Sequence, residues 1–91
     1  MQCLHFFVNL QQVNIKLNNM LNKKVEEAIN AQINAELWSA YLYLSMAAYC
    51  HAQGQPGMAK WFEVQFREEQ DHAKIFFNYV VSRDGVVTLK P

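Results

Sequence analysis

The sequence predicts an all-α fold, an antiparallel helical hairpin that forms half of a four-helix bundle. Three observations predict it. Apolar residues recur at three- and four-residue spacing through two long stretches, and a short segment carrying two glycines and a proline separates them. Each stretch also breaks its apolar stripe with side chains that could bind a metal.

Residues 1–19 form an extension that differs in composition from the rest of the chain. It holds one formal charge, Lys16, many Asn and Gln residues, and a small apolar cluster of Leu4, Phe6, Phe7 and Val8. Two readings stand: translated upstream sequence ahead of a start at Met20, which is favoured, or an extra segment docked on a neighbour. The domain proper is expected over residues 20–91.

From Met20 a helix is predicted to about Cys50 or His51, capped by Asn18 or Asn19. Val25, Ile29, Ile33, Glu36, Ala40, Tyr43 and Ala47 share one face. From Leu37 to Cys50 the helix is apolar nearly all round, which points to cover by other helices or subunits. A membrane span does not fit, because this stretch is too short and holds Ser39, Ser45 and four Tyr or Trp rings.

Residues 51–57 read as a turn. Gly54 and Gly57 break the helix, Pro56 pushes Gln55 out of helical geometry, and Pro56 itself suits the first turn of a new helix. The second helix is predicted from Pro56 to about Asp84, with Phe62, Phe66, Phe76 and Val80 on its apolar stripe. Glu63 and Arg67 are spaced for an ion pair on the wet face, and Gly85 supplies a stop. Residues 86–91 read as extended chain and the start of a connecting loop.

Composition narrows the function classes. Eight basic and eight acidic residues leave no net charge, and no basic stripe appears. Nucleic-acid binding and electrostatic membrane attachment are therefore not expected. Cys3 and Cys50 make neither a disulfide framework nor a metal knuckle, and a reducing cytoplasm is the simplest setting. A chain of 91 residues buries only about 60 to 65% of its unfolded surface. A partner is expected, most simply further copies of the chain.

Chemistry concentrates at Glu69 and His72, three residues apart and so nearly stacked on a helix. They sit at the centre of the stripe of Phe62, Phe66, Phe76 and Val80, where an ionised carboxylate is costly unless compensated. A metal ion held by the carboxylate and a neutral imidazole compensates both. A lone Glu-x-x-His is common on solvated helix faces, so the second carboxylate decides the matter. Glu36 interrupts the other stripe. Counting from the turn at about 1.5 Å per residue, Glu36 and Glu69 each lie about 20 Å along their helices, so the three side chains should meet at one level.

Asn34-Ala35-Glu36-Leu37, Tyr43-Leu44-Ser45-Met46, the turn from Gly54 to Gly57, and Phe66-Arg67-Glu68-Glu69-Gln70-Asp71-His72-Ala73-Lys74 closely resemble bacterial non-haem ferritin. The resemblance covers about Met20 to Pro91, the first two helices of that family's subunit and the start of the long loop after them. It implies a ferritin-like fold, iron as the metal, and a di-iron centre that oxidises iron(II) with dioxygen. It implies that Glu36 holds the first iron, Glu69 bridges two, His72 completes the first site and Tyr43 stands beside the pair. Glu68 matches a position that helps an additional nearby iron; a solvated glutamate is the plain alternative. The family's third, fourth and fifth helices have no counterpart in these residues.

Three functional readings remain open on the sequence: a ferroxidase and iron-storage subunit, another di-iron oxidoreductase, or a non-catalytic hairpin that only assembles. Glu36 with Glu69 and His72 disfavours the last, and the lack of paired cysteines for electron transfer disfavours the second. One Glu and one Glu-x-x-His are half the ligand set of a di-iron bundle. A two-fold pair of hairpins would supply the rest, with Leu37, Leu42, Leu44 and Phe76 expected at the join.

Overall fold

The computed structural model describes residues 21–91, so the readings for the extension and for the caps Asn18 and Asn19 fall outside the described residues. Two helices and no strand are present among them: α1, Lys23–Ala52, and α2, Pro56–Ser82, packed along their length as an antiparallel hairpin. α1 begins at Lys23 because Asn22, in extended geometry, accepts a hydrogen bond from the Lys24 amide at 2.8 Å. This satisfies one of the free donors that every helix start exposes.

Both helix ends close in the same way. At the end of α1, Gly54 takes φ +73°, the Gln55 amide bonds to Cys50 O at 2.9 Å and the Gly54 amide to His51 O at 3.1 Å. At the end of α2 the pattern repeats with the Gly85 amide on Val80 O at 2.9 Å and the Asp84 amide on Val81 O at 3.2 Å. The left-handed residue there is Asp84, with φ 58°, and not the expected Gly85. Gly85 is needed for a different reason: a Cβ on it would lie 2.7 Å from Leu21 Cδ2 and 3.0 Å from both Glu26 Oε2 and Val80 Cγ1.

The core lies toward the end of the hairpin away from the turn. Ile29, Ile33, Phe76, Tyr79 and Val80 are buried together, with Leu21, Val25, Phe77 and Val87 packed on them. Each of the large aliphatic or aromatic side chains contributes about 1.5–3 kcal/mol by leaving water. Nearer the turn the buried residues are Ala40, Ala47, Cys50 and Ala59, whose small side chains suit close helix approach. Phe62 and Phe66, expected in the core, are only partly buried.

After α2 the chain turns back and lies against α1. Glu26 accepts from the Val86 amide at 2.9 Å. Asn30 accepts from the Thr88 amide at 2.8 Å and donates to Val86 O at 2.9 Å, while Asn34 accepts from the Lys90 amide at 2.8 Å and donates to Thr88 O at 2.9 Å. Three side chains at four-residue spacing thus act as a strand edge for residues 86–90. The match is geometric: four residues of helix rise about 6.0 Å, and two residues of extended chain about 6.6 Å.

Candidate metal centre

Glu36 is the fourteenth of 30 residues in α1, and Glu69 the fourteenth of 27 in α2. Both therefore stand at mid-height, and the antiparallel packing brings them level. Glu36, Glu69 and His72 each offer one ligand atom, and these atoms all lie within 4.8 Å of one another. His72 Nδ1 is 3.2 Å from Glu36 Oε2 and 3.7 Å from Glu69 Oε1.

Burial and hydrogen bonding set the electrostatics. Glu36 is only 3% exposed, yet it is the buried charged residue among the described residues. Its Oε1 accepts a hydrogen bond from Gln32 Nε2 at 2.9 Å, one helical turn earlier. Burial pushes the Glu69 carboxyl up to about 7, reinforced by its hydrogen bond to Glu36 and by the Glu36 charge, while His72 pulls the other way. Two carboxyls can share a hydrogen bond only if one is protonated, so without a cation the pair holds a proton up to about pH 7.

This donor set fits a hard or borderline cation. Two carboxylates and an imidazole converge, and a divalent ion held there would replace the retained proton and relieve the repulsion between Glu36 and Glu69. Gln32, which the helical pattern did not single out, orients Glu36 from behind; its signal was the four-residue spacing to Glu36.

The other two candidates stand apart from this cluster. Tyr43 packs against Trp61 and Phe62, with ring centroids at 6.5 and 6.2 Å, and among the described residues no hydrogen bond joins it to Glu36, Glu69 or His72. Glu68 is exposed and acts on the cluster through its charge, which helps to raise Glu69. The expected Glu63–Arg67 pair is replaced by Glu63 Oε2 on His51 Nε2 at 2.8 Å, which bridges the helices beside the turn. Neither helix is long and apolar enough to cross a membrane.

Comparison with known proteins gives the family of the hairpin. The ferritin model, described as a ferritin-like domain, matches residues 26–91. Bacterial non-heme ferritin of Bacteroides fragilis is 43% identical over 67 residues, which is 74% of this chain and 42% of that protein. Its counterpart from Staphylococcus aureus is 41% identical over 64 residues, 70% of this chain and 39% of that protein. The chain thus spans about two fifths of the length of these relatives. Among solved structures, an engineered closed form of the Archaeoglobus fulgidus ferritin superposes with a TM-score of 0.76 at 48% identity, covering 78% of this chain and 43% of that one. The open-pore ferritin of the same archaeon gives 0.75 at the same identity and coverage. With a family match running from residue 26 to the last residue, and this hairpin beneath it, the chain belongs to the ferritin family.

Proposed function

We propose that this chain binds iron(II) as substrate at Glu36, Glu69 and His72, promotes its oxidation by dioxygen, and serves iron storage. The observation that carries the reading is the convergence of two carboxylates and one imidazole within 4.8 Å at mid-height of the hairpin. Family membership supports iron as the ion.

The chemistry asks little of the protein beyond holding and charge. Two iron(II) ions give up one electron each, and dioxygen takes both with two protons. Hard carboxylate oxygens favour the iron(III) product, which supplies part of the driving force. Glu36, oriented by Gln32, would hold one ion together with His72 Nδ1, and Glu69 would supply the carboxylate shared with a second. As iron(II) arrives, Glu69 gives up the proton that it otherwise retains.

Tyr43 has the role of a nearby donor of a hydrogen bond or an electron, acting from the aromatic group with Trp61 and Phe62. Glu68, exposed and one residue from Glu69, suits a passing ion on its way in or out. A reducing cytoplasm is the proposed setting, in keeping with the buried, unpaired Cys50 thiol.

The test is anaerobic iron(II) titration by calorimetry, followed by admission of air and an absorbance record of iron(III). Glu36→Ala and Glu69→Ala should each abolish the tight binding and the fast oxidation phase. Unchanged binding in both variants would remove the site from consideration.

A further inference from the structure

We propose that Gln32 sets the ion preference of this site: by holding one oxygen of Glu36 it leaves the other to meet the ion, and so favours small borderline cations such as iron(II) over large hard ones such as calcium. The inference rests on the iron reading above. It adds a specificity-determining residue that touches no ion itself.

Geometry comes first. Glu36 is 3% exposed, so its carboxylate draws on protein donors rather than on bulk water. Gln32 Nε2 donates to Oε1 at 2.9 Å, whereas Oε2 is the oxygen on His72 Nδ1, at 3.2 Å. The two oxygens thus have different duties: Oε1 ties the carboxylate back to its own helix, and Oε2 reaches across to α2. The tie spans one turn of α1, so it forms with the helix and does not wait for an ion. The choice of an amide also matters. A Lys or Arg at position 32 would donate as well, but its charge would compete with the ion for Glu36; Gln supplies the donor without the charge.

A comparison within the chain sharpens the point. Gln65 stands four residues before Glu69, as Gln32 does before Glu36, and both glutamines are half-buried. Among the described residues no hydrogen bond joins Gln65 to Glu69, whose side chain is 19% exposed against 4% for Glu36. One carboxylate is held from behind and the other is not.

Ion preference follows from the coordination that each cation demands. Calcium takes about 6–8 oxygen ligands and commonly uses both oxygens of a carboxylate. Iron(II), like cobalt(II) and zinc(II), accepts imidazole and needs fewer oxygens. A carboxylate with one oxygen tied back therefore costs calcium a contact, while an ion that asks one oxygen of Glu36 loses little. Without the tie, Glu36 could turn and present both.

Cobalt(II) is the probe, since it needs no oxygen chemistry to be seen and the intensity of its visible band reports coordination number. Calorimetric titration of the 91-residue chain with cobalt(II) and with calcium gives the ratio of the two affinities. Gln32→Met keeps the length and helix propensity of the side chain and removes the donor. It should weaken cobalt(II) about 10- to 100-fold, leave calcium unchanged or tighter, and lower the ratio at least about tenfold. The cobalt(II) band should lose intensity as coordination number rises. Gln32→Lys should weaken both ions yet hold the ratio near that of the parent chain, because the donor is restored and its charge opposes both ions equally. Gln65→Met should change neither affinity.

An unchanged ratio in Gln32→Met, whether cobalt(II) binds as before or both ions weaken together, overturns the proposal and leaves the iron reading standing. A shift as large in Gln65→Met also overturns it. A parent chain that binds no cobalt(II) overturns the proposal, and one that binds no iron(II) either overturns the iron reading with it.

Discussion

His72 Nδ1 lies 3.2 Å from Glu36 Oε2, although the two residues are 36 positions apart in the chain. The residue midway between them is Gly54, which takes φ +73° at the turn. Two arms of equal length fold about that glycine. The height of the Glu36, Glu69 and His72 cluster is therefore a property of the turn as much as of the three side chains.

The first prediction stems from the raised carboxyl. Glu69 holds its proton up to about pH 7 in the folded chain, against 4.5 for an ordinary glutamate. The folded state binds the proton more tightly, so this contribution to stability is fully present below pH 4.5 and is lost as pH rises through 7. The melting temperature of the iron-free chain should fall across that window, and Glu69→Gln should flatten the fall. Iron(II) affinity should move the opposite way, rising with pH, because the ion displaces the proton.

The second prediction separates function from stability. Glu69→Ala should eliminate iron(II) oxidation while leaving the apo melting temperature equal or higher, since it removes a buried repulsion with Glu36. Phe76→Ala should cost about 3–5 kcal/mol, because its ring is fully buried among Ile29, Ile33 and Val80. Phe62→Ala should cost less, as that ring is partly exposed. Chemical denaturation of the three variants gives the order, and equal losses for Glu69→Ala and Phe76→Ala would make Glu69 a structural residue.

The third prediction concerns the end of α2. Asp84 occupies left-handed backbone, at φ 58°, where a side chain costs on the order of 1 kcal/mol relative to glycine. Asp84→Gly should stabilise by that order. Gly85→Ala should destabilise by about 1–3 kcal/mol, since its new methyl meets Leu21, Glu26 and Val80 at once. Thermal melting of the pair should therefore show opposite signs at adjacent positions.

A fourth prediction reads the side-chain ladder along α1. The amides of Val86, Thr88 and Lys90 donate to Glu26, Asn30 and Asn34, respectively, and those of Val87 and Leu89 are not part of the ladder. Amide hydrogen exchange should alternate, slow at the even positions and fast at the odd ones. Asn30→Ala removes the middle rung, with its two hydrogen bonds, and should speed exchange at Thr88 while costing about 1–2 kcal/mol.

Much of this architecture was legible in the sequence because it depends on helical period alone. The two helices, the turn and the common level of Glu36, Glu69 and His72 emerge from counting residues. What counting does not reveal is the choice among chemically similar partners. Asn22 caps α1, although Asn18 and Asn19 had the same credentials, and Glu63 pairs with His51 across the turn, although Arg67 lay one helical turn away. Gly85 looked like the left-handed stop, but Asp84 takes that role, while Gly85 stands where a Cβ would crowd Leu21, Glu26 and Val80. Asn30 and Asn34 read only as polar helix residues, since a ladder exists only once the chain has come back to meet it. The position of Tyr43, among Trp61 and Phe62, required the rotation of both helices about their axes.

The ladder on α1 also carries its own stopping rule. Helix rungs repeat at about 6.0 Å and strand rungs at about 6.6 Å, so the two scales slide past each other like a vernier, by about 0.6 Å per rung. Over the steps from Glu26 to Asn34 the slip is about 1.2 Å, which flexible side chains absorb. The next rung would fall at Trp38, which cannot bond a backbone in this way, and the slip would by then approach about 2 Å. Over the three rungs at Glu26, Asn30 and Asn34 the helix holds the extended segment in phase.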